Sequence, residues 1–133
     1  MFILKRKYAD EILAQAREEA PNECCGVLGG RDGRVEKLFR AVNAEKSPDL
    51  YNVDSHDLLR IRRECDAKGW DFLGIYHSHT HTEAYPSPTD VRLAAWPESA
   101  HIIVSLADPE NPILRAFRIQ EGRVSEEELR IEG

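Results

Sequence analysis

Only three of the 133 residues are cysteine, Cys24, Cys25 and Cys65, and no two of them form a Cys-x-x-Cys pair. That scarcity argues against a disulfide framework and against a thiolate metal site. Neighbouring residues of a strand face opposite ways, so Cys24 and Cys25 could not easily hold one ion together, and at least one is expected in the core. Long hydrophobic runs are missing too: Met1-Phe2-Ile3-Leu4 is followed at once by Lys5-Arg6-Lys7, and no stretch approaches membrane-spanning length. The expectation is a cytoplasmic chain with neither signal peptide nor membrane contact. Nor is positive charge in excess. With 18 Lys and Arg against 24 Asp and Glu, the formal net charge is −6, which disfavours a nucleic-acid binder working by phosphate neutralisation. The run Arg60, Arg62, Arg63 is read as a solvated helix face. No repeat, linker or low-complexity tract interrupts the chain, and 41% hydrophobic content suits one domain over residues 1–133 around a single core.

What is present is an alternation of helical and strand patterns. Ala9, Ile12, Leu13, Ala16 and Ala20 recur at helical spacing until Pro21 stops them. Residues 24–30 and 34–42 read as a hairpin around Arg31-Asp32-Gly33, whose Asp-Gly pair suits a tight turn. Residues 43–52, polar and holding Pro48, read as a loop. A second helix is predicted from about Ser55 to Lys68, capped by Asp54 and closed by Gly69, with Leu58, Ile61 and Cys65 facing a sheet. The apolar run 72–76 follows as a strand. Residues 101–106 are the most continuously apolar and are predicted to be a central strand. Residues 113–119, a turn at Glu121-Gly122 and a strand near residues 129–131 are expected to complete the sheet, with Glu126, Glu127 and Glu128 a solvated stretch. The fold class is α/β, a mixed sheet flanked by helices.

The chemistry concentrates in His77-Ser78-His79, seven further residues, and Ser87-Pro88-Thr89-Asp90, with Glu23 upstream at a helix-to-strand junction. Residues i and i+2 of a strand project from one face, so His77 and His79 can converge on one ion while Ser78 points away. Asp90 would arrive from the first turn of a helix with Ser87 at its N-cap and Pro88 at its first position. Two imidazoles, a carboxylate and a spare acid are the parts of a hydrolytic zinc site. The blander reading is that Ser87 and Asp90 only cap a helix. A continued strand would also align His81 as a third histidine, but residues 80–86, ended by Pro86, look like loop. His56, near a helix start, and His101, at a strand edge, are read as structural.

Glu23, His-Ser-His, seven residues and Ser-x-x-Asp together resemble the signature of the JAMM (MPN+) zinc peptidases. The stretch Pro21-Asn22-Glu23-Cys24-Cys25-Gly26-Val27-Leu28-Gly29-Gly30 also matches that family's Pro-x-Glu-x-Cys-Gly-x-Leu-x-Gly pattern, and the resemblance runs from about residue 8 to 119. It implies the MPN fold, similar to the cytidine deaminase architecture. It implies one zinc ion per chain, held by His77, His79 and Asp90 with a water in the fourth place, Glu23 as general base and later proton donor, and Ser87 steadying the oxyanion. Ser78 would fix the strand or a histidine tautomer. Residues 76–87 are most like the bacterial Mec-type enzymes, which implies a ubiquitin-like or sulfur-carrier protein with a C-terminal Gly-Gly tail as partner and cysteine as the released group. The resemblance leaves a homodimer open. The partner protein's tail is expected to add along a free strand edge and lie between residues 43–52 and 80–86, both polar segments. Removal of a ubiquitin-like modifier from lysine is the alternative; a non-catalytic MPN scaffold conflicts with the intact motif, and a deaminase with the lack of His-x-Glu and Pro-Cys-x-x-Cys.

Overall fold

The computed structural model describes every residue from Met1 to Gly133. Its strands are β1 (Phe2–Lys5), β2 (Cys25–Arg31), β3 (Arg34–Ala41), β4 (Asp71–His79), β5 (Ala100–Ser105), β6 (Ile113–Gln120), β7 (Arg123–Glu127) and β8 (Leu129–Glu132). Its helices are α1 (Arg6–Glu19), α2 (Ser55–Lys68) and α3 (Pro88–Leu93). Six strands form one mixed sheet in the order β3-β2-β4-β5-β6-β7, with β4 and β5 parallel and every other pair antiparallel. No helix is long and apolar enough to cross a membrane.

Strand alternation divides the core between the two faces of the sheet. On one side Ile12 and Ala16 of α1 pack with Leu28, Tyr76, Ile102 and Val104. On the other, Ile61 and Cys65 of α2 pack with Val27, Phe39, Phe72 and Ile75. Cys24 and Cys25 fall one into each cluster, both fully buried, as neighbours on an extended chain must. Gly26 pairs with Tyr76 across β2 and β4, and a Cβ there would collide with the tyrosine ring, so the ring can lie over this position only while it has no side chain. The β2–β3 hairpin turns through Asp32 and Gly33, both at positive φ (55° and 72°), as the Asp-Gly pair predicted.

The caps follow local chemistry. Asp54 accepts from the backbone N–H groups of His56 and Asp57, and Gly69 ends α2 at φ 68°.

Three expectations need correction. The N-terminal residues read only as a short apolar stretch form β1, which buries Phe2 and Leu4. The strand near 129–131 does not complete the main sheet: β8 leaves it and pairs in parallel with β1, Phe2 opposite Leu129. The sheet is instead finished by β7, which holds Glu126 and Glu127 in the stretch expected to be merely solvated. An edge strand tolerates such charges, and here Arg115 and Arg118 of β6 pair with them.

Candidate metal centre

His77 and His79 end β4, on the face opposite Tyr76 and at the carboxyl end of a strand paired in parallel with β5. In open α/β sheets this end is where crossover connections leave a crevice. Ser78 points away, as expected, and its hydroxyl accepts from Cys24 N–H at 2.8 Å, tying β4 to the start of β2. Asp90 comes from the first turn of α3. There the capping box is complete: Ser87 Oγ accepts from Asp90 N–H at 3.0 Å, and Asp90 Oδ2 accepts from Ser87 N–H at 2.9 Å. The capping and functional readings of Ser87-x-x-Asp90 therefore coexist, because the cap is what turns the carboxylate toward β4.

Asp90 Oδ2 lies 3.2 Å from His77 Nε2 and 3.0 Å from His79 Nε2, and the two ring nitrogens are 3.2 Å apart. His77 and His79 are buried. His79 Nδ1 donates to the Glu83 carbonyl at 2.8 Å, which in the neutral ring leaves Nε2 as a bare lone pair. A tetrahedral ion held at about 2.0–2.1 Å spaces its ligands roughly 3.3–3.4 Å apart. The three atoms thus converge at a spacing that fits a cation of zinc's size. His77, His79 and Asp90 could hold such an ion, with no cysteine sulfur among the converging atoms and too few oxygens for calcium. His81 stays outside: exposed, its Nδ1 lies 3.0 Å from the Thr80 hydroxyl and its Nε2 3.4 Å from Asp49.

The charges agree with this. Burial opposes ionisation of Asp90, but its bonds to His77 and His79 outweigh that and hold the carboxyl well below the usual range. Burial lowers His77; the same burial acts on His79 but loses to Asp90, so His79 is raised.

Glu23 lies in the loop before β2, 3% exposed, and burial pushes its carboxyl up to about 8, with His79 opposing and Asp90 adding to the shift. Its Oε1 is buried without a hydrogen-bond partner. A carboxyl so desolvated, within reach of the charges of His79 and Asp90, is suited to taking and returning a proton.

His101 lies near the start of β5, the central strand between β4 and β6, with Nε2 unpartnered and the ring pushed down to about 4 by burial. His56 is exposed at the start of α2.

Residues 43–52 and 80–86 do flank the cluster, and they touch through the His81–Asp49 pair. A cavity of about 270 Å³ beside Asp90 is lined by Leu50, Tyr51, Val53, Thr89, Leu93 and Trp96. A second opening lies along His79, Thr82, Tyr85, Pro86 and Ser87. Asn43 and Tyr51 went unsingled in the sequence. Asn43, 3% exposed, donates to the carbonyls of Glu23 and Leu50 and accepts from Glu45 N–H and Asn52 N–H. Tyr51 stacks on His77. The available signal was slight: an asparagine at a strand end and an aromatic within an otherwise polar loop.

A family model described as prokaryotic homologs of the JAB domain matches residues 5–120. The chain is 40% identical over 133 residues to the CysO-cysteine peptidase of Mycobacterium tuberculosis, covering 98% of this chain and 91% of that one. It is 37% identical over 103 residues to a desampylase of Haloferax volcanii, covering 72% and 74%. A Desulfitobacterium hafniense protein of known solution structure superposes with a TM-score of 0.89 at 40% identity, over 99% of this chain and 93% of that one.

Proposed function

This chain belongs to the family of prokaryotic homologs of the JAB domain, and on that premise we propose that it is a zinc-dependent peptidase that cuts a peptide or isopeptide bond at the C-terminal tail of a ubiquitin-like protein. Its fold is that of JAB/MPN domains. The observation that carries the reading is the convergence of His77 Nε2, His79 Nε2 and Asp90 Oδ2 beside the unpartnered carboxyl of Glu23. When bound, zinc supplies Lewis acidity, making water easier to deprotonate and a carbonyl easier to attack.

The chain's own residues do the rest. His77, His79 and Asp90 are the three ligands. His79 is held in its ligating tautomer by the Glu83 carbonyl, and Asp90 is aimed by the cap it makes with Ser87. Glu23 takes the proton of the attacking water and returns it to the departing amine. Ser87 Oγ uses a lone pair on Asp90 N–H, which leaves its hydroxyl proton free to donate to the oxyanion. All five side chains are present, so a non-catalytic scaffold is disfavoured.

The finer reading is that the bond cut joins a sulfur-carrier protein's tail to cysteine, supported by 98% coverage at 40% identity to a relative named for that reaction. A lysine isopeptide is the second reading. It is favoured by the openings on both sides of the cluster, which leave two directions open for a leaving group. We further propose that the tail ends in Gly-Gly and lies extended between residues 43–52 and 80–86, in a channel too narrow for Cβ atoms beside the metal ligands.

Incubating the zinc-loaded protein with a carrier–cysteine conjugate and a modifier–lysine conjugate, and weighing the products intact, separates the two. Release of cysteine alone supports the first reading; cleavage of the lysine conjugate alone replaces it with the second, and inertness toward both refutes the function. A carrier whose terminal glycines are changed to leucines should resist cleavage, and equally fast cutting would refute the narrow channel.

A further inference from the structure

The two histidines of the cluster are held by different means. His79 is fixed by a hydrogen bond from Nδ1 to the Glu83 carbonyl. His77 has no such anchor: its Nδ1 is buried and unpartnered. A ligand ring without an outer hydrogen bond depends on the packing around it to fix its plane. Tyr51 supplies that surface, with its ring 4.2 Å from the His77 ring, centroid to centroid, and the planes 16° apart.

Tyr51 is itself held from both sides. Asn43 Nδ2 donates at 3.0 Å to the carbonyl of Leu50, the residue before it, and Asn43 Oδ1 accepts at 3.0 Å from the N–H of Asn52, the residue after it. The same amide donates to the Glu23 carbonyl at 3.0 Å, and Glu23 N–H donates to the Ser47 carbonyl at 2.9 Å. One buried side chain therefore sets the place of the stacking ring and the backbone of the acid together.

We propose that Tyr51 is a positioning residue, fixing the plane of the His77 imidazole by ring stacking from a loop that Asn43 pins. The contact replaces the outer hydrogen bond that His77 lacks. It couples the conformation of residues 43–52, the wall along which a substrate tail would lie, to the aim of one ligand. The proposal rests on the reading of His77 as a ligand.

The test compares Tyr51→Phe, which keeps a stacking ring, with Tyr51→Leu, which fills much of the space without one. Zinc affinity of each metal-free protein is measured by competition with a chromophoric chelator, beside His77→Ala and the parent, with urea midpoints reporting the fold. Tyr51→Phe should bind like the parent. Tyr51→Leu should bind about 10- to 100-fold more weakly, the usual scale for losing a ligand's outer support, with its urea midpoint little changed. Its metal-free NMR spectrum should show an exchange-broadened His77 ring signal, as a ring sampling more than one orientation gives, whereas a shift without broadening would report only the lost ring current of Tyr51. Equal affinity of the Leu and Phe variants, with His77→Ala weakened, overturns the positioning role and leaves the ligand assignment standing. Undiminished affinity in His77→Ala as well overturns both.

Discussion

A carboxyl enclosed as Glu23 is costs more to ionise in the folded chain than in the unfolded one, and its pKa accordingly rises from 4.5 to about 8. Between those values the metal-free folded state binds a proton that the unfolded state has lost. This contribution to stability is fully present below pH 4.5 and is lost as pH rises through about 8. Glu23→Gln carries no ionisable proton and should escape the loss. Urea midpoints of metal-free variant and parent should diverge in the variant's favour from pH 4.5 to 8 and then run parallel; parallel curves throughout would show that burial does not govern this carboxyl. The same variant should bind zinc normally yet turn over roughly a hundredfold or more slowly, since general-base loss is on that scale. Unchanged turnover would remove Glu23 from the chemistry. Its place beside a histidine pair was legible from the motif, whereas its desolvation was not, because that depends on residues 43–52 folding over it.

At the scale of the element, α3 is six residues long and buries none of them, so little besides its cap defines its start. Ser87 has two duties there that substitution can separate. Loss of an N-cap hydroxyl to alanine costs about 1 kcal/mol, but to glycine only a few tenths. Ser87→Gly should therefore unfold close to the parent, Ser87→Ala somewhat earlier, while both lose turnover by about 10²-fold or more, as losing an oxyanion donor does. Turnover that followed stability instead, falling in Ala and surviving in Gly, would assign Ser87 to capping alone. Both caps, Asp54 on α2 and Ser87 on α3, were readable because each is a contact between residues two or three apart. β1 and β8 were not: each has only four residues, and their pairing joins Phe2 to Leu129 across nearly the whole chain. The burial that makes β1 a strand is invisible in a run that looks only like a short apolar start.

Across the whole molecule, the sheet assigns its two faces different work. The α1 side holds the largest apolar cluster, with Leu4, Ile12 and Tyr76 fully buried, and the other side holds His77, His79 and the α2 contacts. Leu4→Ala should cost about 2–5 kcal/mol, the usual range for a fully buried leucine, and leave zinc affinity of the still-folded protein at the parent's level. A denaturant titration with a chelator competition measures both. A large loss of affinity in the folded variant would show that the faces are not independent.

The sequence by itself determined the motif, the alternation that points Cys24 and Cys25 to opposite faces, the hairpin turn at Asp32-Gly33 and both cap residues. These all depend on side chains a few positions apart, where strand and helix periods leave few choices. Only the tertiary structure decided that β7 and not β8 completes the sheet, and that Asn43 and Tyr51 hold the site's acid and one of its rings. Those outcomes come from contacts between residues far apart in the chain, and local pattern does not say which distant surfaces will meet when the core closes.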